Sequence, residues 1–473
     1  MRRRTFLSAA ATAVGALAAS PRRLPAAEPV TARFPDGFLW GCSTSAYQIE
    51  GAVTADGRGA SVWDTFSRTP GKVRDGDTGD VACDHYHRYR EDVALMARAG
   101  MGAYRFSVAW PRVMPDGAGP VNAAGLDFYD RLVDALLESG VEPWPCLFHW
   151  DLPQALQDRG GWTDRAIAGR FADYAVAVAR RLGDRVTHWA MLNEPGVVAI
   201  FGHGTGGHAP GLTGRATCMA ALHHQNLAQG TALQALRAAG GGRWRLGTVL
   251  CVQPSVPVGG RPENAGAAAL WDAVWNRAGL DPLFHGRYPD LLEADVGPLL
   301  RAGDPETIRQ PVDWLGVNYY SRMHQQPDPG GLFGTGYGPP PPGTQVTAMG
   351  WPVEPGGLTE VLLELRDRYG NPPVVLAENG AAYDDRPGPD GAVEDGERIA
   401  FLRAHLLAGH AALAQGANLR GWLVWTLLDN FEWAEGYARR FGLVRVDRDT
   451  LERTPKASYH WYADVIRRNG VAA

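Results

Sequence analysis

The sequence predicts an α/β fold, a single closed (β/α)8 barrel of the TIM type with its active site at the C-terminal ends of the strands. Eight short apolar runs are spaced along the chain, and several are apolar at nearly every position, as strands buried on both faces are. Helical stretches separate the runs, and strand–helix alternation calls for parallel strands. Polar and aromatic residues gather where the runs end, the face on which such a barrel carries its chemistry. A doubly wound open sheet is the alternative, but the first run lacks the Gly-x-Gly-x-x-Gly turn of a dinucleotide site.

The first run, 38–46, leads into Tyr47-Gln48-Ile49-Glu50-Gly51. The second, 103–110, carries Arg105. The third, 141–150, ends in Phe148-His149-Trp150 with Asp151 after it. The fourth, 187–194, ends in Asn193-Glu194 and stops at Pro195, a strand breaker. The fifth, 245–252, is an apolar run containing Cys251. The sixth, 314–320, ends in Asn318-Tyr319-Tyr320. The seventh, 373–378, ends in Glu378 and is followed by Asn379-Gly380. The eighth, 421–428, carries Trp425 and runs into Asp429-Asn430-Phe431-Glu432-Trp433. Helices are expected over 88–99, 124–139, 164–182, 217–239, 264–285, 356–369, 397–415 and 455–468. The stretch 327–342 is rich in Gly and Pro, lacks the Gly-Lys-Ser/Thr of a phosphate loop, and reads as a surface loop.

The chain has 473 residues, 45% hydrophobic and 21% charged, enough for a large core. Its 16 tryptophans and 15 tyrosines include flat faces suited to the C–H faces of sugar rings, although most aromatics fill cores. The formal charge is −5 and no basic stripe occurs, which argues against nucleic acid as a partner. Five cysteines, widely spaced and without Cys-x-x-Cys, form neither a disulfide framework nor a zinc site. Cys146 and Cys251 read as core residues. His223-His224 lies mid-helix, where adjacent side chains point apart, so no metal site is read there. No metal or organic cofactor is expected, and the sequence sets no oligomeric state.

Residues 1–27 read as a twin-arginine-type export signal, with Arg2-Arg3-Arg4 ahead of Phe6-Leu7, an Ala-rich stretch and small residues before Ala18 and Ala27. The alternatives are an uncleaved anchor or a disordered tail. The apolar run is too short for a stable membrane span. The expectation is a periplasmic or secreted enzyme domain over 28–473, without a membrane span after cleavage. Twin-arginine substrates leave the cytoplasm folded, so unpaired buried thiols are compatible with export.

Glu194 and Glu378, each ending a run, are the minimum equipment for breaking a glycosidic bond. One carboxyl must be protonated near neutral pH and the other ionised. Arg105 on an inward strand could keep Glu378 ionised, or serve a structural ion pair elsewhere. Tyr320 can donate to Glu378. Gln48, His149, Asn318 and Glu432 supply donors and acceptors for ring hydroxyls, and Trp425 and Trp433 supply platforms, the mix of a sugar site.

These segments resemble the motifs of family 1 glycoside hydrolases, the β-glucosidase family. They include Phe38-Leu39-Trp40-Gly41, Ser45-Ala46-Tyr47-Gln48, Tyr104-Arg105-Phe106-Ser107, Phe148-His149-Trp150-Asp151-Leu152-Pro153, Leu192-Asn193-Glu194-Pro195 and Gly316-Val317-Asn318-Tyr319-Tyr320. Glu378-Asn379-Gly380 and the segment from Trp425 to Trp433 complete the order, which runs from Phe34 to Tyr462. The resemblance implies hydrolysis of terminal unphosphorylated β-D-glucosyl residues with retention, with possible β-galactosidase or β-fucosidase activity. The substrates would be small β-glucosides or oligosaccharides.

The resemblance also implies roles. Glu194 matches the acid/base and Glu378 the nucleophile. Gln48, His149, Trp150, Asn193, Glu432 and Trp433 match residues around the non-reducing sugar, with Trp425 beneath it and Phe441 by its primary hydroxyl. Asn318, Tyr320 and Arg105 match supports of the nucleophile. Two departures stand out: Ala377 replaces the usual threonine before the nucleophile, and Cys42-Ser43 replaces Ala-Thr-type residues. Glu432 argues against 6-phosphoglycosides, whose enzymes carry serine there, and Glu194 argues against thioglucosides. A transglycosylase on the same scaffold and a non-catalytic sugar-binding barrel are the other readings. Segments 327–342 and 203–210 are expected to select the leaving group.

Overall fold

Eight parallel strands pair each with the next and close on themselves. They are β1 (Leu39–Ser43), β2 (Ala103–Ser107), β3 (Glu142–Phe148), β4 (His188–Asn193), β5 (Arg245–Cys251), β6 (Trp314–Asn318), β7 (Val374–Asn379) and β8 (Leu419–Trp425). The structure, a computed structural model, describes residues 32–240 and 242–472. The expected export signal, 1–27, lies outside the described residues. Every expected strand is present, trimmed mostly at its C-terminal end. There the chain leaves the ladder to build the rim, as where Ala46–Ile49 forms a helical turn after β1.

The helices wrap this barrel. They are α1 (His85–Arg98), α2 (Ala123–Glu138), α3 (Ile167–Leu182), α4 (Arg215–Gly240), α5 (Ala265–Asp272), α6 (Ala278–His285), α7 (Gly356–Arg368), α8 (Gly396–Ala414) and α9 (Ala457–Arg468). In α3 the buried residues Ile167, Phe171, Tyr174, Ala175, Val178 and Leu182 recur at helical spacing and face inward. The single helix expected over 264–285 is two, joined by a wider turn at Ala273–Arg277. The stretch 327–342 is only partly loop. Thr335–Tyr337 pairs antiparallel with Met323–Pro327, which in turn pairs with Ser255–Pro257. Glycine at 334, with φ 73°, turns the chain back, and Thr335 donates to the Gln325 side chain at 2.6 Å.

Side-chain alternation divides the barrel interior into two layers. The lower layer is apolar and takes a residue from every strand: Leu39, Ala103, Trp144, Cys146, Ala190, Val249, Trp314, Val375, Ala377 and Leu423. Trp144 and Trp314 meet edge to face, with centroids 4.9 Å apart. Gly247 gives Trp314 its space, since a Cβ there would sit 2.5 Å from the indole. Two residues further along the strands, Arg105 follows Ala103 and Trp425 follows Leu423, so polar and aromatic groups stand directly on an apolar plug.

Truncating this plug should be costly because backbone-held neighbours cannot collapse into the space. Trp314→Ala is expected to lower stability by about 3–5 kcal/mol, read from denaturant unfolding of the two chains.

Candidate active site

The two strands that carry the glutamates both break their alternation. In β4, Ala190 and Asn193 both face inward although three positions apart, and the register against β5 shifts between them. In β7, Ala377 lies in the plug while its neighbour Glu378 also turns inward, and the register shifts against both β6 and β8. Such bulges re-aim a side chain at a barrel rim. Glu194 then adopts a left-handed backbone, φ 50° and ψ 60°, and Trp150 and Trp433 do the same at φ 79° and 51°. Each such non-glycine residue costs on the order of 1–3 kcal/mol and persists only where its surroundings hold it. Here the Trp150 indole donates to the Asn193 carbonyl at 3.0 Å, and the Glu194 amide donates to the Val249 carbonyl at 2.9 Å. Glycine is required after Glu378, because a Cβ on Gly380 would lie 1.7 Å from the Trp425 carbonyl oxygen.

Arg105, fully buried, ties the site together. One guanidinium nitrogen donates to Glu378 Oε1 at 2.7 Å, another to Asn193 Oδ1 at 2.6 Å. Tyr320 donates its hydroxyl to Glu378 Oε2 at 2.6 Å. Asn318 Nδ2 donates to Glu194 Oε1 at 2.8 Å and to Asn193 Oδ1 at 3.1 Å, and its amide also reaches Glu378. One amide therefore lies near both carboxyl groups, placing them as neighbours across the rim.

The environments of the two glutamates differ. Burial raises the Glu378 carboxyl, but Arg105, Tyr320 and Asn318 all favour its ionised form. Glu194 has no cation in contact. Burial, then the charge of Glu378, pushes it up to about 8. The proton of the pair is therefore held on Glu194. Glu432 is likewise pushed up to about 8, by burial and then by Glu378 and Glu194. His149 is held well below its usual range by burial and by Arg105, and stays neutral. Its Nε2 faces Asn193 Nδ2 at 3.0 Å.

The remaining candidates surround the carboxylates. Gln48 Nε2 reaches Glu432 at 3.3 Å while also donating to the Phe431 carbonyl at 2.9 Å. The loop after β8 is anchored by Asp429, which accepts from Lys456 at 2.8 Å and from the Gly442 amide at 2.9 Å. Trp433 packs against Trp150 and Trp63, each with centroids 4.6 Å away. Trp425 lies nearly parallel to His149, at 5.8 Å. Phe441 sits beside Tyr320 and Trp351, at 6.4 and 6.0 Å. The structure thus brings every sequence candidate to one rim.

The two departures from the family pattern meet each other. Ala377 has its methyl in the plug, and its carbonyl accepts the Ser43 hydroxyl at 2.6 Å. Cys42 lies outside the barrel wall, fully buried. Cys251, read as a core residue, is buried in the core cluster and also lines the cavity beside Glu194, with Gln253 Nε2 at 3.5 Å from its sulfur. Its place at the last residue of β5, like that of Asn318 at the end of β6, was the only mark of the cavity-facing role. His223, by contrast, is absorbed by Asp304 and Tyr288, at 3.1 and 3.0 Å.

A cavity of about 440 Å³ opens above these groups, with Glu194, Tyr320, Glu432 and Trp433 at its inner end. Its outer wall includes Phe201, Trp275, Met323, Tyr337 and Trp351, of which Tyr337 falls in a segment, 327–342, expected to select the leaving group. Phe201 and Trp275 lie on helical segments, Met323 and Tyr337 on short strands outside the barrel, and Trp351 in a connection, where no barrel strand-end signal marks them.

A closed eight-stranded barrel with two carboxyl groups on β4 and β7 defines a class of glycoside-cleaving enzymes, and the chain belongs to glycosyl hydrolase family 1. The sequence model of that family matches residues 30–471. The chain is 52% identical over 449 residues to thermostable beta-glucosidase B of Thermobispora bispora, covering 93% of this chain and 91% of the relative. It is 44% identical to a bifunctional beta-D-glucosidase/beta-D-fucosidase of Bifidobacterium breve, covering 92% and 99% of the two chains. The solved family 1 β-glucosidase of Thermotoga maritima superposes with a TM-score of 0.90 at 43% identity, covering 93% of this chain and 99% of that one.

A serine hydroxyl is a stronger donor than a thiol. Cys251→Ser should therefore favour the ionised form of Glu194 and lower its pKa from about 8, while Cys251→Ala should not. Carbon-13 NMR titration of the Glu194 carboxyl checks the direction.

Proposed function

We propose that the protein is a retaining β-glucosidase that removes terminal, unphosphorylated β-D-glucosyl residues. The observation that carries this is the unequal support of two carboxyl groups sharing Asn318. Glu378 is held ionised by Arg105 and Tyr320, while Glu194 keeps a proton. Their roles follow. A Glu378 oxygen attacks the anomeric carbon as the bond to the departing oxygen breaks, and Glu194 gives that oxygen its proton. A glycosyl ester on Glu378 results. Glu194, now ionised, takes a proton from water, and the water oxygen displaces Glu378 from the opposite face. Two inversions leave the sugar with its starting configuration.

The proton affinities fit the sequence of steps. Ionised Glu378 raises the affinity of Glu194 for its proton. Esterification removes that charge, so Glu194 becomes the weaker proton holder needed to act as donor and then as base.

For the sugar itself, Gln48, His149, Asn193 and Glu432 offer hydrogen-bond partners to ring hydroxyls above the Trp425 face. Phe441 borders the primary hydroxyl. A carboxyl at 432 can pair with a sugar hydroxyl but gives a 6-phosphate no positive charge, which supports neutral sugars over 6-phosphorylated ones. The relative named for both glucosidase and fucosidase activity supports β-fucosides as second substrates.

Glu378→Ala should abolish hydrolysis of an aryl β-glucoside, and azide should restore turnover with α-glucosyl azide as product. A mutant that hydrolyses normally would remove Glu378 from the nucleophile role. The pH profile of kcat/KM should fall above about 8 as Glu194 loses its proton, and should fall on the acid side as Glu378 gains one. Glu194→Gln should slow substrates with poor leaving groups by about 10²–10⁴-fold and erase the basic limb. Substrates whose leaving group needs no proton should still form the glycosyl-enzyme.

A further inference from the structure

We propose that the outer half of the cavity selects an apolar aglycone, an aryl or alkyl group, over a second sugar. The inference rests on the β-glucosidase reading and names the class of leaving group for that site. It starts from what lines the space beyond Glu194. Trp275 and Phe201 form one wall, with centroids 6.1 Å apart. Met323 and Tyr337 continue the lining, and Trp271 packs behind them, 5.8 Å from Trp275 and 5.5 Å from Tyr337. Trp271 also fixes Met323 by donating to its sulfur at 3.1 Å. Tyr337 stands at the mouth, 54% exposed, an aromatic left open where a substrate would arrive.

Most polar side chains of this outer lining are already engaged. His324 is paired with Glu354 at 2.8 Å, and Arg322 with Glu360 at 3.2 Å. The Ser321 hydroxyl donates to the Pro352 carbonyl at 2.7 Å. Glu435 accepts from Arg74 at 2.7 Å and from Arg439 at 2.8 Å. Gln253 turns its amide to Cys251 at 3.5 Å. His208 Nδ1 and Trp275 Nε1 have no protein hydrogen-bond partner, room for two polar atoms of an aglycone. A second pyranose would bring several hydroxyl groups into this space and leave most of them unpaired. Each unpaired buried group gives up its water partner and gains none in return. An alkyl or aryl group has no such debt and gains from every carbon it buries.

The test is a series of methyl, butyl and octyl β-D-glucosides with cellobiose, read as kcat/KM. The alkanols leave with similar difficulty, so differences report contact with the wall. Each methylene buried should raise kcat/KM by about fourfold until the cavity is full, with cellobiose below the octyl glucoside. Tyr337→Ser and Trp275→Ala should each shrink the octyl-to-methyl ratio. Equal values for methyl and octyl glucosides, or cellobiose preferred to octyl glucoside, would overturn the proposal. Calorimetric binding of the same ligands to the Glu378→Gln chain separates the two readings. Tighter octyl binding without turnover by the native chain sinks hydrolysis and leaves the apolar site standing. Equal binding of methyl and octyl glucosides sinks the apolar site.

Discussion

The site depends on one buried cation. Arg105 rises from β2 directly above the apolar plug and spans to Asn193 on β4 and Glu378 on β7. A guanidinium cannot shed its charge, so it fixes the charge state of its neighbours instead of adapting to them. It makes Glu378 the member of the pair that ionises, and that charge in turn holds the proton on Glu194. Burial keeps His149 neutral, and the charge of Arg105 adds to it. Removing Arg105 would leave Glu378 buried among apolar groups and other acids, which is why the barrel is built around this residue and not merely decorated with it. Lysine could not replace it, because two acceptors on different strands need the planar fork.

The backbone around this cation is arranged against its own preferences. Regular strands would send Ala377 inward and Glu378 outward. A bulge in each glutamate-bearing strand, and left-handed backbone at Glu194, Trp150 and Trp433, bring the reacting groups over one point. The compensation lies in hydrogen bonds from the rim to the strands and in the Asp429–Lys456 pair that anchors the last loop. Local strain concentrated at the residues that face the cavity, with regular geometry below, is how a rigid scaffold holds groups that would otherwise diverge.

This arrangement explains what could be read in the sequence. Strands were legible because burial on both faces demands continuous apolar runs, and Pro195 or Gly380 marks where each glutamate strand must stop. Chemistry was legible because polar residues at the end of such a run have no structural excuse. Arg105 was visible as a charge on an inward strand and Glu378 as its ionic partner, but its second partner, Asn193, was not, since it comes from another strand. Bulges left no mark, because a register shift changes the direction of a side chain without changing its neighbours in sequence. The outer wall was illegible for another reason. Trp275, Met323, Tyr337 and Trp351 sit on segments whose apolar residues look like any other core, and Thr335–Tyr337 looked like a loop because three residues carry no detectable period. Cys251 was legible as a packed core residue but not as part of the cavity wall, because a thiol among apolar residues reads as packing alone.

The plug and the walls of the cavity have a consequence for traffic. Trp144 and Trp314 close the barrel below the carboxylates, and Trp150, Trp351, Glu432 and Trp433 wall the cavity that holds Glu194. A polymer can enter only by an end, because an internal unit would need a way out for the chain on both sides. Departure is ordered as well. The group nearest the mouth must leave before water can reach the sugar behind it, and the freed sugar must then back out along the same path. Each visit therefore releases one unit, and the protein cannot slide along a chain to the next cut without first emptying itself.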